Sequence, residues 1–186
     1  MSGHMNSQSS PAVQYQIREW SDEDSPACWQ LFHDTVHRVN IRDYDERAVN
    51  AWAPRQTDLT QWTDRFRGNI ALVAEWSSPD ATPATATNSI VGFVDLRPDG
   101  YLDRLFVSAD HQRVGIARSL WIEMRRRAAA AGCTRIETEA SITAKPFFES
   151  QGFQCVATQT VCCRGVDLTN YRMRYQMPLD LLSGLP

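Results

Sequence analysis

No run of apolar residues in this chain of 186 approaches the roughly 20 needed to cross a bilayer, and no charged segment followed by an apolar one opens it as a secretory signal would. A membrane partner is therefore not expected, and the expected location is the cytoplasm. Cysteine is odd in number and unpatterned: Cys28, Cys133, Cys155, Cys162 and Cys163 contain no C-x-x-C pair, so the thiols are read as reduced, without a metal or redox role. Excess positive charge is missing too. At a formal net charge of -3 the chain lacks the basic surface that a nucleic-acid binder needs to neutralise phosphates.

What is present describes an ordinary globule, 42% hydrophobic and 22% charged, of a length that suits one domain. Met1-Ser2-Gly3-His4-Met5 reads as an expression scar, and the polar residues after it have nothing to bury. Residues 1–12 are accordingly a tail, and 13–186 are expected to form a single domain. A strand is predicted over 14–20, and Asp24-Ser25-Pro26 supplies a helix start with Pro where its missing N–H does no harm. In the helix after it, Cys28, Leu31, Phe32, Thr35, Val36 and Val39 recur at helical spacing and mark a buried stripe. Further helices are predicted over 46–52, before Pro54, and over 59–67.

Two apolar runs, 70–76 and 90–96, read as strands around a Ser/Thr/Pro/Ala segment that is expected to be a long mobile hairpin loop. After the turn Pro98-Asp99-Gly100 comes a strand from Tyr101 to Val107, then an Ala-rich helix over 115–131 stopped by Gly132. A short strand over 135–139, a short helix over 144–150 and two closing strands within 153–177 complete a mixed α/β chain.

The informative stretch passes from strand through loop into helix: Leu105-Phe106-Val107-Ser108-Ala109-Asp110-His111-Gln112-Arg113-Val114-Gly115-Ile116-Ala117. A helix start presents unpaired N–H groups and the positive end of the macrodipole, so such a loop can hold a pyrophosphate. Gly115 and Ala117 let the backbone approach a ligand, and Arg113 and Arg118 add charge. No Lys-Ser/Thr follows the Gly and no G-x-G-x-x-G is present, which excludes the nucleoside triphosphatase and dinucleotide loops.

Gln112-Arg113-Val114-Gly115-Ile116-Ala117 instead resembles the Q/R-x-x-G-x-G/A signature of the GNAT superfamily of acetyltransferases. Tyr101 to Val107 resembles the family's fourth strand. Residues 144–153, ending in Gly152-Phe153, resemble its second cofactor-binding helix. The resemblance implies an α/β (α+β) GNAT fold, with a central mixed, mostly antiparallel sheet of about seven strands, flanking helices and a splayed strand pair. It implies acetyl-CoA as cosubstrate, without a metal, and direct attack by the amine of a small molecule in a ternary complex. Pantetheine is then expected to pair with backbone groups of Phe106 and Val107 as an added strand, with Leu105 also at the cofactor, and a backbone N–H there to polarise the thioester carbonyl.

An ammonium acceptor must lose a proton before it attacks, and a carboxylate is the usual acceptor of that proton. The position where several family members carry a catalytic Glu is Tyr101 here. Asp103, expected on the same strand face as Tyr101, Leu105 and Val107, is the candidate base, and Asp95 on the preceding strand the second choice. The Tyr that commonly protonates the CoA thiolate is replaced by Phe148. The cofactor-contacting Asn is replaced by Ser141, and Tyr171 or water is left as the acid. By the same resemblance His37, Tyr44, Trp52, Asp95 and Tyr101, together with His33 and Trp62, are expected around the acceptor, and the aromatic ones among them suit a flat or apolar amine. His33 and His37 lie one helical turn apart with no third ligand, so no metal site is expected. A catalytically weak acyl-CoA-binding module and an acetyltransferase for protein substrates remain as alternatives, and a homodimer is left open.

Overall fold

The structure is a computed structural model that describes residues 15–77 and 89–182. The tail 1–12 and the expected hairpin loop lie outside the described residues. Seven strands form one sheet in the order β1-β2-β3-β4-β5-β7-β6. These are β1 (Tyr15–Glu19), β2 (Ile70–Trp76), β3 (Ser89–Leu96), β4 (Tyr101–Val107), β5 (Arg135–Ser141), β6 (Gln154–Cys163) and β7 (Val166–Gln176). Every pairing is antiparallel except that of β4 with β5. The expected mostly antiparallel seven-strand sheet is thus present.

One face of the sheet carries α1 (Ser25–Arg38), α2 (Glu46–Trp52) and α3 (Leu59–Asp64); the other carries α4 (Ile116–Ala130) and α5 (Lys145–Ser150), with α6 (Leu179–Leu182) closing on α4. Local chemistry starts these helices where the residue pattern predicts. Asp45 accepts from the Ala48 N–H at 2.8 Å and Asp58 from the Thr60 N–H at 2.9 Å, each satisfying a donor that the helix itself leaves free. The predicted apolar stripe of α1 is buried against Phe93, Phe106 and Trp62. On the other face, a Cβ at Gly92 would meet Ile116 at 2.9 Å and Leu120 at 3.0 Å. The absence of a side chain at Gly92 therefore lets the first turns of α4 lie directly on β3 and fixes the loop ahead of α4 against the end of β4.

Among the described residues no helix is long and apolar enough to cross a membrane, and no group of His, Cys, Asp and Glu is arranged to hold a metal. All five cysteines are free thiols.

Two irregularities of the sheet lie next to β4. β4 and β5 pair only at Tyr101 with Glu137 and Leu102 with Thr138; beyond these they diverge, each still held on its outer side, β4 by β3 and β5 by β7. In the β3–β4 register Asp95 faces Arg104 but Leu96 faces Leu102, so Asp103 is an extra residue bulged out of β4. The bulge splits the face that Tyr101, Asp103, Leu105 and Val107 were expected to share. Asp103 meets Arg65 beside α3, whereas Leu105 and Val107 pack into the core on the α4 side.

Candidate active site

A cavity of about 850 Å³ opens between the diverging strands and continues under α1 to α3. Its two ends differ in chemistry. At the open end of the V lies the loop from Ser108 into α4, where Gly115 takes φ +93° as the helix N-cap and Arg113 takes φ +64°. No side chain caps this helix start. Gln112, Arg113, Gly115, Ile116, Ala117 and Arg118 all line the cavity, while Val114 points outward and is exposed.

Arg113 and Arg118 are exposed and form no hydrogen bond or ion pair with a described residue, in contrast to Arg38, whose guanidinium pairs with Asp110 and ties α1 to the same loop. Unsatisfied helix N–H groups, a macrodipole terminus and two free guanidinium groups make this end an anion receptor. The Gln112 side chain has a different task. Its Nε2 donates to the carbonyls of Val107 at 2.7 Å and Ser108 at 3.0 Å, and with Thr35 Oγ1, which donates to the Val107 carbonyl at 3.1 Å, it ends the strand.

Backbone direction decides which groups of β4 face the gap. The Ser108 N–H donates to the Val91 carbonyl, so by alternation Phe106 turns its peptide groups towards β3, while Leu105 and Val107 turn theirs towards β5. The backbone groups of Phe106 are therefore already turned to β3, and those open to the gap are the groups of Leu105 and the Val107 N–H.

Beyond the strands, Trp29, Phe32, Trp52, Trp62 and Phe106 form a ring-lined chamber with centroid separations of 4.9 Å for Phe32 and Phe106 and 5.1 Å for Trp29 and Trp62. Tyr44 lines it, yet its hydroxyl is already used: it donates to the Thr169 carbonyl at 2.6 Å and accepts from the Ile142 N–H at 2.9 Å, and burial pushes its pKa up. Ser141 and Phe148 also line the cavity. Ser141 Oγ accepts from the Ala144 N–H at 3.1 Å, and Phe148 packs on Phe147 and Phe153. At the closed end stands Tyr101, whose hydroxyl burial and the nearby Glu139 and Asp103 carboxylates push up, keeping it protonated.

Besides Val114, three expected site residues are placed elsewhere. Asp95 is fully buried and held by Arg104, outside the cavity, so it has no access to a substrate. His37 faces away; its Nε2 lies 2.8 Å from the Ala53 carbonyl at the end of α2, and its ring stacks on His33. Tyr171 lies on the α4–α5 face of the sheet with Lys145 Nζ 4.3 Å from its ring centroid, because β7 alternates Leu168 and Asn170 to one face and Tyr171 and Met173 to the other. Asp103 does line the cavity, but its Oδ2 is 2.9 Å from Arg65 and 3.5 Å from Arg104.

Glu139 and Asn170 line the cavity and were not singled out from the sequence. The signal for Glu139 was the alternation Ile136, Glu137, Thr138, Glu139, Ala140, which turns both glutamates to the face opposite the core.

Residues 40–175 match the acetyltransferase (GNAT) domain family. The chain is 34% identical over 161 residues to YafP of Escherichia coli K12, an uncharacterized N-acetyltransferase, across 87% of this chain and 95% of that protein. Among solved structures it resembles a GCN5-related N-acetyltransferase from Rhodopseudomonas palustris, with a TM-score of 0.75 and 27% identity over 94% of this chain and 99% of that one. A third likeness, for the fold alone, is to YncA of Salmonella typhimurium, whose structure holds its cofactor acetyl-CoA: TM-score 0.64 and 16% identity, over 89% of this chain and 95% of that one.

Proposed function

The chain belongs to the GNAT acetyltransferase family, and from that premise we propose that it moves the acetyl group of acetyl-CoA to the amine of a small, flat or apolar molecule by direct attack. The observation that carries the reading is the gap between β4 and β5, which joins an anion receptor at one end to an aromatic chamber at the other. The α4 N-terminus with Arg113 and Arg118 fits the pyrophosphate, and Leu105 and Val107 fit the amide groups of pantetheine as an added strand would.

A donor entering from the open end directs its thioester to the closed end, where the strands rejoin. There a β4 N–H stabilises the charge that develops on the carbonyl oxygen during attack. The rings of Trp29, Phe32, Trp52 and Trp62 supply the acceptor's contact surface and exclude water. Acetyl-CoA as the donor and five free thiols support a cytoplasmic site of action.

The test is a panel of primary amines with apolar or aryl bodies, benzylamine among them, followed by release of free thiol from acetyl-CoA. Turnover above the rate of simple thioester hydrolysis for at least one amine supports the reading. Binding of acetyl-CoA with no acetylated amine would replace it with an acyl-CoA-binding module.

A further inference from the structure

We propose that Glu139 receives the acceptor's ammonium group and its proton, and that Asn170 positions it; the assignment rests on the acetyl-transfer reading of the same cavity. Three carboxylates line the cavity: Asp58, Asp103 and Glu139. Asp58 caps α3 through the N–H groups of Thr60 and Gln61. Asp103 shares its Oδ2 between Arg65 and Arg104. Glu139 alone of the three has no guanidinium and no helix end on its oxygens. Its Oε2 accepts from a neutral donor, Asn170 Nδ2, at 3.0 Å, which leaves Oε1 for a ligand.

Position favours the same residue. Tyr101 pairs with Glu137 and Leu102 with Thr138, so Glu139 is the first β5 residue past the last pairing of the two strands, on the face away from the Ile136 and Ala140 core. That is the closed end of the gap, where a thioester entering past Arg113 and Leu105 arrives. The groups that face Glu139 are Tyr101 and Asp103 from β4, Glu137 from β5, and Arg172 and Arg174 from β7; Arg174 is held by Glu137, and Arg172 stands opposite Glu139 in the register.

Asn170 shows what the site requires. Its Oδ1 is buried without a donor, an arrangement that folded chains avoid, while its Nδ2 faces the carboxylate. Turning the amide over would set Oδ1 against Glu139, so the carboxylate fixes the orientation of Asn170 and Asn170 fixes that of the carboxylate.

In the step itself an ammonium N–H bond breaks, its electron pair stays on nitrogen, and the proton goes to Oε1 of Glu139. The nitrogen pair then forms the C–N bond to the acetyl carbonyl carbon. The C–S bond breaks with its pair on sulfur. The nitrogen, cationic after the attack, gives its second proton to water, and the thiolate takes up a proton through that water. This leaves a neutral amide, a free thiol and one proton on Glu139 that passes to solvent.

The experiment compares wild type, Glu139→Gln, Asn170→Ser and Asp103→Asn on the best amine of the panel from pH 6 to 9, with acetyl-CoA affinity and melting temperature recorded for each. Glu139→Gln is expected to lose about 100- to 10,000-fold in kcat/KM at neutral pH with unchanged acetyl-CoA affinity. The loss should shrink as pH rises towards the pKa of the amine, because the acceptor then arrives neutral. Asn170→Ser should show a smaller loss with the same pH dependence. If Glu139→Gln fails to fold, Asn170→Ser carries the test, and a wild-type pH profile there overturns the assignment. A wild-type profile for Glu139→Gln, or the whole loss appearing in Asp103→Asn, overturns it as well. A wild type that binds acetyl-CoA but acetylates no amine overturns the acetyl-transfer reading instead.

Discussion

Arg104 donates to both oxygens of Asp95, Nε to Oδ1 and Nη2 to Oδ2, each at 2.7 Å, with side-chain exposures of 4% and 0%. The guanidinium also lies 3.7 Å over the Phe66 ring, and Asn69 donates to Asp95 Oδ2 at 2.8 Å. This ion pair sits beside the bulge and fixes Arg104 on the α1–α3 face. Removing one member leaves a buried charge without its partner, so Asp95→Ala should destabilise by about 3–5 kcal/mol. The paired change Asp95→Leu with Arg104→Met should recover most of that. Urea midpoints at constant slope measure both, and a single variant as stable as wild type would show that the pair is dispensable.

A second prediction concerns acid. Arg18 on β1 holds Asp24 at the start of α1 through two bonds of 2.8 Å and Glu75 on β2 through one of 3.1 Å. Burial raises the Asp24 carboxyl, but the Arg18 hydrogen bonds outweigh it and the net shift is downward; for Glu75 the Arg18 hydrogen bond is the leading cause of a downward shift. Both groups therefore bind protons more readily unfolded, at about 3.9 and 4.3, than folded. Their contribution is full above about pH 5 and is lost as pH falls through the lower folded values. The urea midpoint should drop between about pH 5 and 3, and Arg18→Met should lower it at neutral pH and flatten that drop. An equally steep fall in Arg18→Met would assign acid sensitivity to other carboxylates.

The order of elements could be read from the chain because turn chemistry and periodicity carry it: Pro98-Asp99-Gly100 before β4, Gly132 after α4, and the Leu31, Phe32, Val36 stripe of α1 all fall where expected. The bulge at Asp103 could not. An extra residue in a strand leaves no mark in composition, yet it reverses which side chains share a face, and with it the link expected between Asp103 and Leu105. Tyr171 shows the same limit. Alternation groups it with Met173 and Tyr175, but whether that group faces the cavity or α5 depends on packing between distant elements. The shape of the loop ahead of α4, with Gly115 at the helix start and Arg113 and Arg118 beside it, was legible because its chemistry lies in one short run.

That loop gives a third prediction. Arg113 and Arg118 have no described partner, so their replacement should disturb little except an anionic ligand. Arg113→Ala and Arg118→Ala should each weaken acetyl-CoA binding by roughly tenfold, in the range of a charged hydrogen bond at an open site. Affinity for acetyl-pantetheine, which carries no phosphate, should stay the same. Gly115→Glu, which adds a carboxylate at the helix start and a side chain at φ +93°, should abolish acetyl-CoA binding while the protein remains folded. Equal calorimetric affinities of wild type and the Arg variants for acetyl-CoA would move the pyrophosphate elsewhere.

The last prediction concerns the proton that the CoA thiolate takes. Tyr171 is packed away from the cavity: Lys145 Nζ lies 4.3 Å from the ring centroid, the residue packs against the α4–α5 core, and the cavity is lined by its neighbour Asn170. Tyr171→Phe keeps the ring and removes only the oxygen, so single-turnover rates should equal those of wild type. Phe148, in contrast, lines the cavity at 4% exposure between Phe147 and Phe153. A hydroxyl added there by Phe148→Tyr has either a free edge facing the donor or no room among the rings. The two outcomes differ in sign: a faster single turnover would show that an acid at this position helps, and a lower melting temperature with slower turnover would show that the ring is packing alone. A thiol of ordinary pKa, about 8.5, leaves as a tolerable anion and can take its proton from water. The gain from Phe148→Tyr should therefore be small, and a rise of more than about tenfold, at the low end of what a positioned acid contributes, would mean that thiolate protonation limits the native enzyme.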